Sequence, residues 1–394
     1  MSSSPKPQKN HPFVDPSLSK RHRSSRVFKA FAKGSILFTL AFLLFFLFDI
    51  ARTAAPAMSQ AYVQVEVTFS EKTKKFSRSA VDKQYRTIVS RAWLRTIPSQ
   101  LEDSPELIGT KQMMWVLADD QVDQYLKEHH HNLKEKQIKI IEELKEQGNI
   151  ELKWNAVFFS NGDSKIPENA GIQSAIVGSI LTLLVTMAFA FPIGVMTAIY
   201  LEEFASDNMF TRFVEVNINN LAAIPSILFG LLGLSVFINL FGLPRSSPLV
   251  GGITLALMTL PIIIVSSRAA LRSVPESIRQ AGYGLGLTKQ NVVKDHVLPI
   301  AFPGILTGTI IGLAQAMGET APLIIIGMIA FIPDSPSSIL EAATVLPAQI
   351  FTWAGMPERA YVEKTAAGIV VILSILILLN SAAIYLRKKY EIKW

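Results

Sequence analysis

A carboxylate, Glu319, stands inside a long apolar run as part of Gly318-Glu-Thr-Ala-Pro322, and an arginine, Arg268, stands about one turn from the end of another. Ionisable groups in hydrocarbon are costly unless paired or hydrated, so each marks either a packing pair or a polar pathway through a membrane. Pro322 removes a helical hydrogen bond to the carbonyl of Gly318, and Gly318 admits a close backbone neighbour, which predicts a kinked helix beside the carboxylate. Thr320 and Gln315 add neutral hydrogen-bonding groups to the same stretch. The competing readings are a packing pair for Glu319 and simple snorkelling to the interface for Arg268. On the pathway reading the chemistry is contact with a passing polar solute rather than bond making. The chain has no Cys, Gly284-Leu-Gly286 lacks the Lys and Ser/Thr of a nucleotide-phosphate loop, and His129, His130 and His131 are consecutive, pointing around a helix rather than at one ion. No catalytic, metal, nucleotide or nucleic-acid site is expected.

A second group of residues suggests a partner. Residues 280 to 299 form a polar, Gly-punctuated loop between two apolar runs. Its pattern predicts two short helices bent at Gly286, with Thr288 capping the second and Pro299 closing it. A bare chain reversal needs less structure, so this loop is expected to dock on something.

The elements that must position these residues are membrane helices. Of 394 residues, 49% are hydrophobic and 18% charged, with a mean hydropathy of +0.33, which implies a part-embedded, part-soluble chain. Six apolar runs, about 35 to 56, 172 to 201, 217 to 243, 249 to 271, 303 to 332 and 366 to 386, are long enough to span a bilayer. The first is too long and too far from the terminus for a cleaved signal peptide.

Eight Lys or Arg precede residue 34 against Asp15 alone, so this tail carries the whole net charge of +7. By the positive-inside rule the basic tail 1-33 and, six spans later, the basic tail 387-394 are cytoplasmic, as is the loop 272-302. The loop near 202 to 216, with Glu202, Glu203, Asp207 and Glu215 against Arg212, fits this scheme least well. The stretch 57-170 then lies outside as a soluble insertion with sixteen basic and seventeen acidic residues. Alternating Val63, Val65, Val67 and Phe69 predict one strand and residues 150 to 159 another, with helices over 82 to 97 and 119 to 146 packed as an antiparallel pair or short coiled coil.

At this point the residues carry a resemblance. Gln280-Ala281-Gly282, Gly286 after three residues, and His296-Val-Leu298-Pro299 after nine more resemble the coupling loop of ABC-importer permeases, whose pattern is Glu-Ala-Ala, Gly and Ile-x-Leu-Pro at the same spacing. Gln280 replaces the family's acid, Gly282 its Ala and His296 its Ile. Pro192 to Glu203, Ala223-Ile-Pro-Ser226, Arg272-Ser-Val-Pro-Glu276 and Gly318 to Pro322 resemble the A-type permease family of bacterial phosphate-uptake (Pst) systems. Gln315 stands where that family often has an Arg, so a role carried by that Arg is not transferred.

The resemblance implies an all-α polytopic fold of six transmembrane helices, that of type I ABC-importer permeases, with a first helix at 34-56 and a permease region at 171-386; the small α+β insertion at 57-170, periplasmic by the charge reading, is an extra relative to the family pattern. It implies a multi-pass protein of the bacterial inner membrane, non-catalytic and binding no cofactor itself. A second permease subunit, two copies of a cytoplasmic ATPase holding ATP and Mg, and a periplasmic phosphate-binding protein would be its partners. Coupling is assigned by the resemblance to Gln280, Ala281, Gly282, Gly286, Leu298 and Pro299. Arg268, Gln315, Glu319 and Thr320 are the expected pathway residues, with Gly318 and Pro322 as the kink. The competing functions are import of another oxyanion, such as sulfate or molybdate, and a membrane-anchored sensor or assembly factor.

Overall fold

The structure, a computed structural model, describes residues 18–329 and 331–390. Parts of both expected basic tails, 1-33 and 387-394, lie outside the described residues. The chain divides into two units at Arg52. The described residues of the first all belong to one helix, Leu18–Ala54, whose sequence from Ile36 to Phe48 is apolar on every face save Thr39.

In the second unit, three antiparallel strands, β1 (Ser59–Thr68), β2 (Lys111–Leu117) and β3 (Ile150–Trp154), form a sheet in the order β2-β1-β3. Val63, Val65 and Val67 of central β1 turn one way and are fully buried, as the two-residue period of a strand requires. The helices Arg91–Asp103, Asp120–Leu126 and Glu135–Glu146 cover that face, contributing Leu94, Ile97, Leu101, Val122, Ile141 and Leu144 to its core. They pack on the sheet rather than as the expected coiled coil.

Three local expectations change for identifiable reasons. The helix expected from 82 begins at Arg91, because Ser90 caps it by accepting from the N–H groups of Ala92 and Trp93. The helix expected over 119 to 146 breaks into two, with Glu128 at φ 60° and the histidines in the connection. The strand expected over 150 to 159 stops at Trp154, because the Asn155 side chain accepts from Phe158 N–H at 3.0 Å and starts a helical turn.

Among the described residues, five helices are long and apolar enough to cross a membrane, and a sixth span is formed if the bent pair Met209–Ala222 and Ser226–Leu240 is counted as one. That pair stands in place of the third span expected at 217 to 243 and bends by 105° at Pro225. Pro225 excludes its predecessor from the helical region, and its own ψ of 135° turns the chain. The fifth span differs at both ends, running from Lys289 to Gly318 rather than from 303 to 332. Pro299 does not close the loop before it. The helix passes through Pro299, and a π-helical turn, Val293–Val297, accommodates the hydrogen bond that Pro299 withholds from the carbonyl of Asp295.

The second span (Gln173–Ile199), the fourth (Pro248–Arg272) and the fifth pack closely through small residues. A side chain at Gly252 has no room against Val185, and one at Gly308 none against Ser266.

Candidate coupling and translocation site

The polar loop folds into a bracket. Its first arm is the helix Glu276–Gly284, and its second is the start of the fifth span, capped by Thr288. Between them Gly286 takes φ 79°, a left-handed conformation that costs a side-chain-bearing residue roughly 1 kcal/mol. Its N–H donates to the Tyr283 carbonyl at 2.9 Å, and Leu287 N–H to the Gly282 carbonyl at 3.1 Å, closing the first arm. Gly282 has a different role: a Cβ there would lie 2.7 Å from Val292 Cγ2, so its lack of one lets the arms touch.

The bracket is anchored by apolar contact to the ends of the spans. Leu271, Val274, Val292, Val297 and Ile305 are buried together with Ala198 and Leu201 from the end of the second span. Leu298 packs half-buried at the edge of this cluster, while Pro299 is exposed. Gln280, Ala281 and Leu285 face outward, Leu285 with 82% of its surface free.

Charge completes the anchorage. Arg279, adjacent to Gln280, donates to both oxygens of Glu203 at 2.7 and 3.3 Å and to the carbonyls of Leu271 at 3.0 Å and Val274 at 2.9 Å. Arg268 bridges Glu202 at 3.2 Å and Glu215, and Arg272 takes the other oxygen of Glu202 at 2.7 Å. The acids of the 202 to 216 loop, too many for Arg212 to balance, are thus neutralised by arginines of the 272 to 302 loop and the span before it. That unbalanced run was the signal for this ladder, and Arg279 and Glu203 were missed as functional candidates because the signal was read only against topology.

Arg268 therefore neither pairs with Glu319 nor stands free. Gly308 packs on Ser266, two residues from Arg268, so Glu319 lies eleven residues, about 16 Å of helix, farther along the fifth span. Glu319 does not sit mid-helix. It ends the span in extended conformation, φ −76° and ψ 127°, half-buried, and its carboxylate makes no hydrogen bond or ion pair among the described residues. Thr320 beside it is half-buried, and Gln315 one turn back is exposed.

Pro322 does not kink the span, because it occupies the first turn of a separate short helix, Ala321–Ile325, where its missing N–H costs nothing. Nor is Gly318 the close-approach glycine, since a Cβ there would touch nothing within 4 Å. Gly230 of the bent pair takes that place, its Cβ position only 2.7 Å from Pro322 Cα.

At the far end of the spans a second charge cluster joins the sheet domain to the last span (Arg359–Lys389), and nothing in the sequence reading pointed to it. Glu363 accepts from His129 Nδ1 at 2.8 Å and meets Lys127 at 3.5 Å, and Lys127 also pairs with Asp123. Lys364 Nζ donates to the Ala170 carbonyl, Ser90 donates to Glu168 at 2.6 Å, and Trp353 Nε1 donates to Asp163 at 2.8 Å. Burial raises the carboxyls of Asp123 and Glu168 and carries Asp163 up to about 6.

Residues 190–392 match the family model described as the binding-protein-dependent transport system inner membrane component, and residues 15–84 and 73–135 match a domain of unknown function. The probable ABC transporter permease protein YqgI of Bacillus subtilis is 30% identical over 243 residues, 58% of this chain and 82% of that protein. The phosphate transport system permease proteins PstA 1 of Mycobacterium tuberculosis (31% over 228 residues, 56% of this chain and 72% of that one) and PstA of Yersinia pestis (32% over 225 residues, 56% and 74%) are similarly related. A solved structure of the MetNI methionine ABC transporter aligns over 56% of this chain and 97% of that one at 18% identity, with a TM-score of 0.44.

Proposed function

Because the chain belongs to the family of binding-protein-dependent transport system inner membrane components, we propose that it is the permease subunit of an ATP-driven importer of inorganic phosphate, coupled to its ATPase through the bracket at 280–299. The observation that carries the coupling reading is a rigid, two-armed bracket with an outward Gln280, Ala281 and Leu285, tied by Arg279 to Glu203 and to the end of the fourth span. Movement of an ATPase surface against those outward residues is transmitted to the second and fourth spans, because the Arg279 contacts and the shared apolar cluster leave no slack between them. Alternating access then follows from rocking of these packed helices.

Phosphate as cargo rests on the relatives named as phosphate transport permeases. A second permease completes the pathway, two ATPase copies hold the ATP and Mg, and a periplasmic binding protein delivers the anion. In this reading both termini and the bracket are cytoplasmic, residues 57–170 are periplasmic, and the complex lies in a bacterial inner membrane. Glu319, Thr320 and Gln315, without side-chain partners among the described residues, border the pathway. Arg268 acts as part of the inner ladder that holds the pathway's cytoplasmic end together.

The test is Gly286→Val in the assembled transporter in vesicles. The strained backbone and β-branched side chain are expected to reduce labelled phosphate uptake at least tenfold while membrane insertion persists. Uptake and transport-linked ATP hydrolysis both at wild-type levels would remove the coupling assignment. Uptake of labelled sulfate or molybdate in place of phosphate would overturn the cargo alone.

A further inference from the structure

The sheet domain is close to neutral as a whole, but its charge is sharply divided. Residues 72–95 hold eight Lys or Arg against Asp82 alone, whereas the rest of 57–170 holds eight basic and sixteen acidic residues. This basic band folds back on itself, because the turn Ser77–Ala80 packs on the helix Arg91–Asp103. Where the band meets the start of the helix Asp120–Leu126 and the connection after it, a cleft of about 350 Å³ opens.

Arg78, Arg86 and Arg91 all line this cleft. Arg86 spends its Nε on the Val81 carbonyl at 3.1 Å, and its two terminal nitrogens make no hydrogen bond among the described residues. Arg78 and Arg91 have no side-chain hydrogen bond or ion pair at all among the described residues. Every arginine of the inner ladder, by contrast, has a carboxylate.

One acid, Asp119, shares the cleft wall, and its Oδ1 already accepts from Gln121 N–H at 3.2 Å. Burial, with help from Asp120 and Glu168, pushes its carboxyl up to about 7, so it supplies little of the missing negative charge below neutrality. Asn132 and Gln137 add neutral amide groups to the lining.

We propose that this cleft binds a phosphate-type oxyanion. Three guanidiniums line the cleft against the single carboxyl of Asp119, and a multiply charged tetrahedral anion balances that excess while offering oxygens to planar forks. A carboxylate is satisfied by one bidentate arginine and leaves two unpaired. The excess of positive charge along 72–95 concentrates anions at the cleft before they bind. The volume admits either free phosphate or a phosphate borne on a lipid headgroup, which present the same chemistry. Arg78, Arg86, Arg91 and Asp119 lie outside the 190–392 stretch matched by the transport family and inside the domain of unknown function. The inference does not depend on phosphate being the cargo.

The full-length chain in detergent micelles, titrated with sodium phosphate at constant ionic strength and followed by calorimetry, tests it. Saturable binding is expected, weakened at least about tenfold in the double variant Arg78→Gln/Arg91→Gln, as the loss of two charge-assisted contacts requires. Both side chains are exposed, so the melting temperature in chloride is expected to match wild type; if the double variant fails to fold, Arg91→Lys, which keeps the charge but not the fork, is expected to show an intermediate loss. Phosphate binding that survives unchanged in the variants, or heat reproduced by chloride alone, overturns the proposal. The same titration in nanodiscs distinguishes the source. A phosphate response abolished by phosphatidylglycerol but not by phosphatidylcholine assigns the site to a lipid headgroup, and a response equal in both assigns it to the free anion.

Discussion

The two charge clusters that bracket the spans obey opposite rules. On the bracket side three arginines meet four glutamates, each carboxylate in direct contact with a guanidinium. On the sheet-domain side Asp123, Asp163, Glu168 and Glu363 are gathered about Lys127, Lys364 and His129, and most of them are buried. Planar guanidinium forks hold geometry while the helices that carry them move, which suits a part that transmits motion. A buried, acid-rich cluster is expensive to open, because any group left unpaired pays the full desolvation penalty, which suits a fixed mount. The difference teaches that buried ion pairs and hydrogen bonds hold the sheet domain to the last span, in a seat whose Asp163 carboxyl is raised to about 6.

The largest effect that tests this contrast is expected from Glu363→Gln. It removes the carboxylate shared by Lys127 and His129 in a nearly dry site, which on the precedent of broken buried pairs costs about 3–5 kcal/mol. The melting temperature of the purified chain is expected to fall by many degrees. A loss as small as that of an exposed pair would show that the cluster is wet and the mount loose.

A smaller effect, with a definite sign, is expected from pH. Asp119 and Asp163 have folded values of about 7 and about 6 against an ordinary 3.8, so the folded state holds protons that the unfolded state has released. Their contribution to stability is complete below about pH 4 and is lost as pH rises through 6 to 7. Asp119→Asn keeps a good helix cap and removes the titration, so the variant is expected to exceed wild type above pH 7 by an amount on the order of a few kcal/mol, measured by thermal unfolding in phosphate-free buffer. A variant less stable than wild type at pH 8 would mean that the carboxylate is ionised and paired.

How much of this was legible in the sequence differs between the same two regions. The bracket could be read because its constraints are local: Gly286 sets a backbone angle, Thr288 caps a helix, and the spacing from Gln280 to Pro299 is counted along the chain. The spans could be read from apolar length, and central β1 from its alternation of Val63, Val65 and Val67. What escaped was non-local or cooperative. The strand β2 has no clean alternation, its burial rising towards Val116 and Leu117 although β1 pairs with all of it. Pro299 reads as a stop and Pro322 as a kink under single-helix rules, yet a π-helical turn accommodates the first and a helix start absorbs the second. The mount was invisible because Glu363 lies more than two hundred residues from His129, and no spacing rule reaches that far.

The finest distinction between the clusters is whether the ladder's guanidinium geometry, and not merely its charge, is what counts. Arg279→Lys keeps the charge against Glu203 but offers a single ammonium where Arg279 now serves two carboxylate oxygens and the carbonyls of Leu271 and Val274. The expected loss of stability is only about 1–2 kcal/mol, because Glu203 keeps a cation and the apolar anchorage of Leu271, Val274 and Val297 is untouched. The expected loss of coupling is larger in proportion, since the lysine ties the bracket to the second span at one point and leaves it free to pivot about that point. Phosphate uptake per ATP hydrolysed, measured in vesicles beside the melting temperature, separates the two. A fall in that ratio with little change in melting identifies a transmission element, whereas equal falls in both reduce Arg279 to a structural cross-brace like Lys127 at the opposite end.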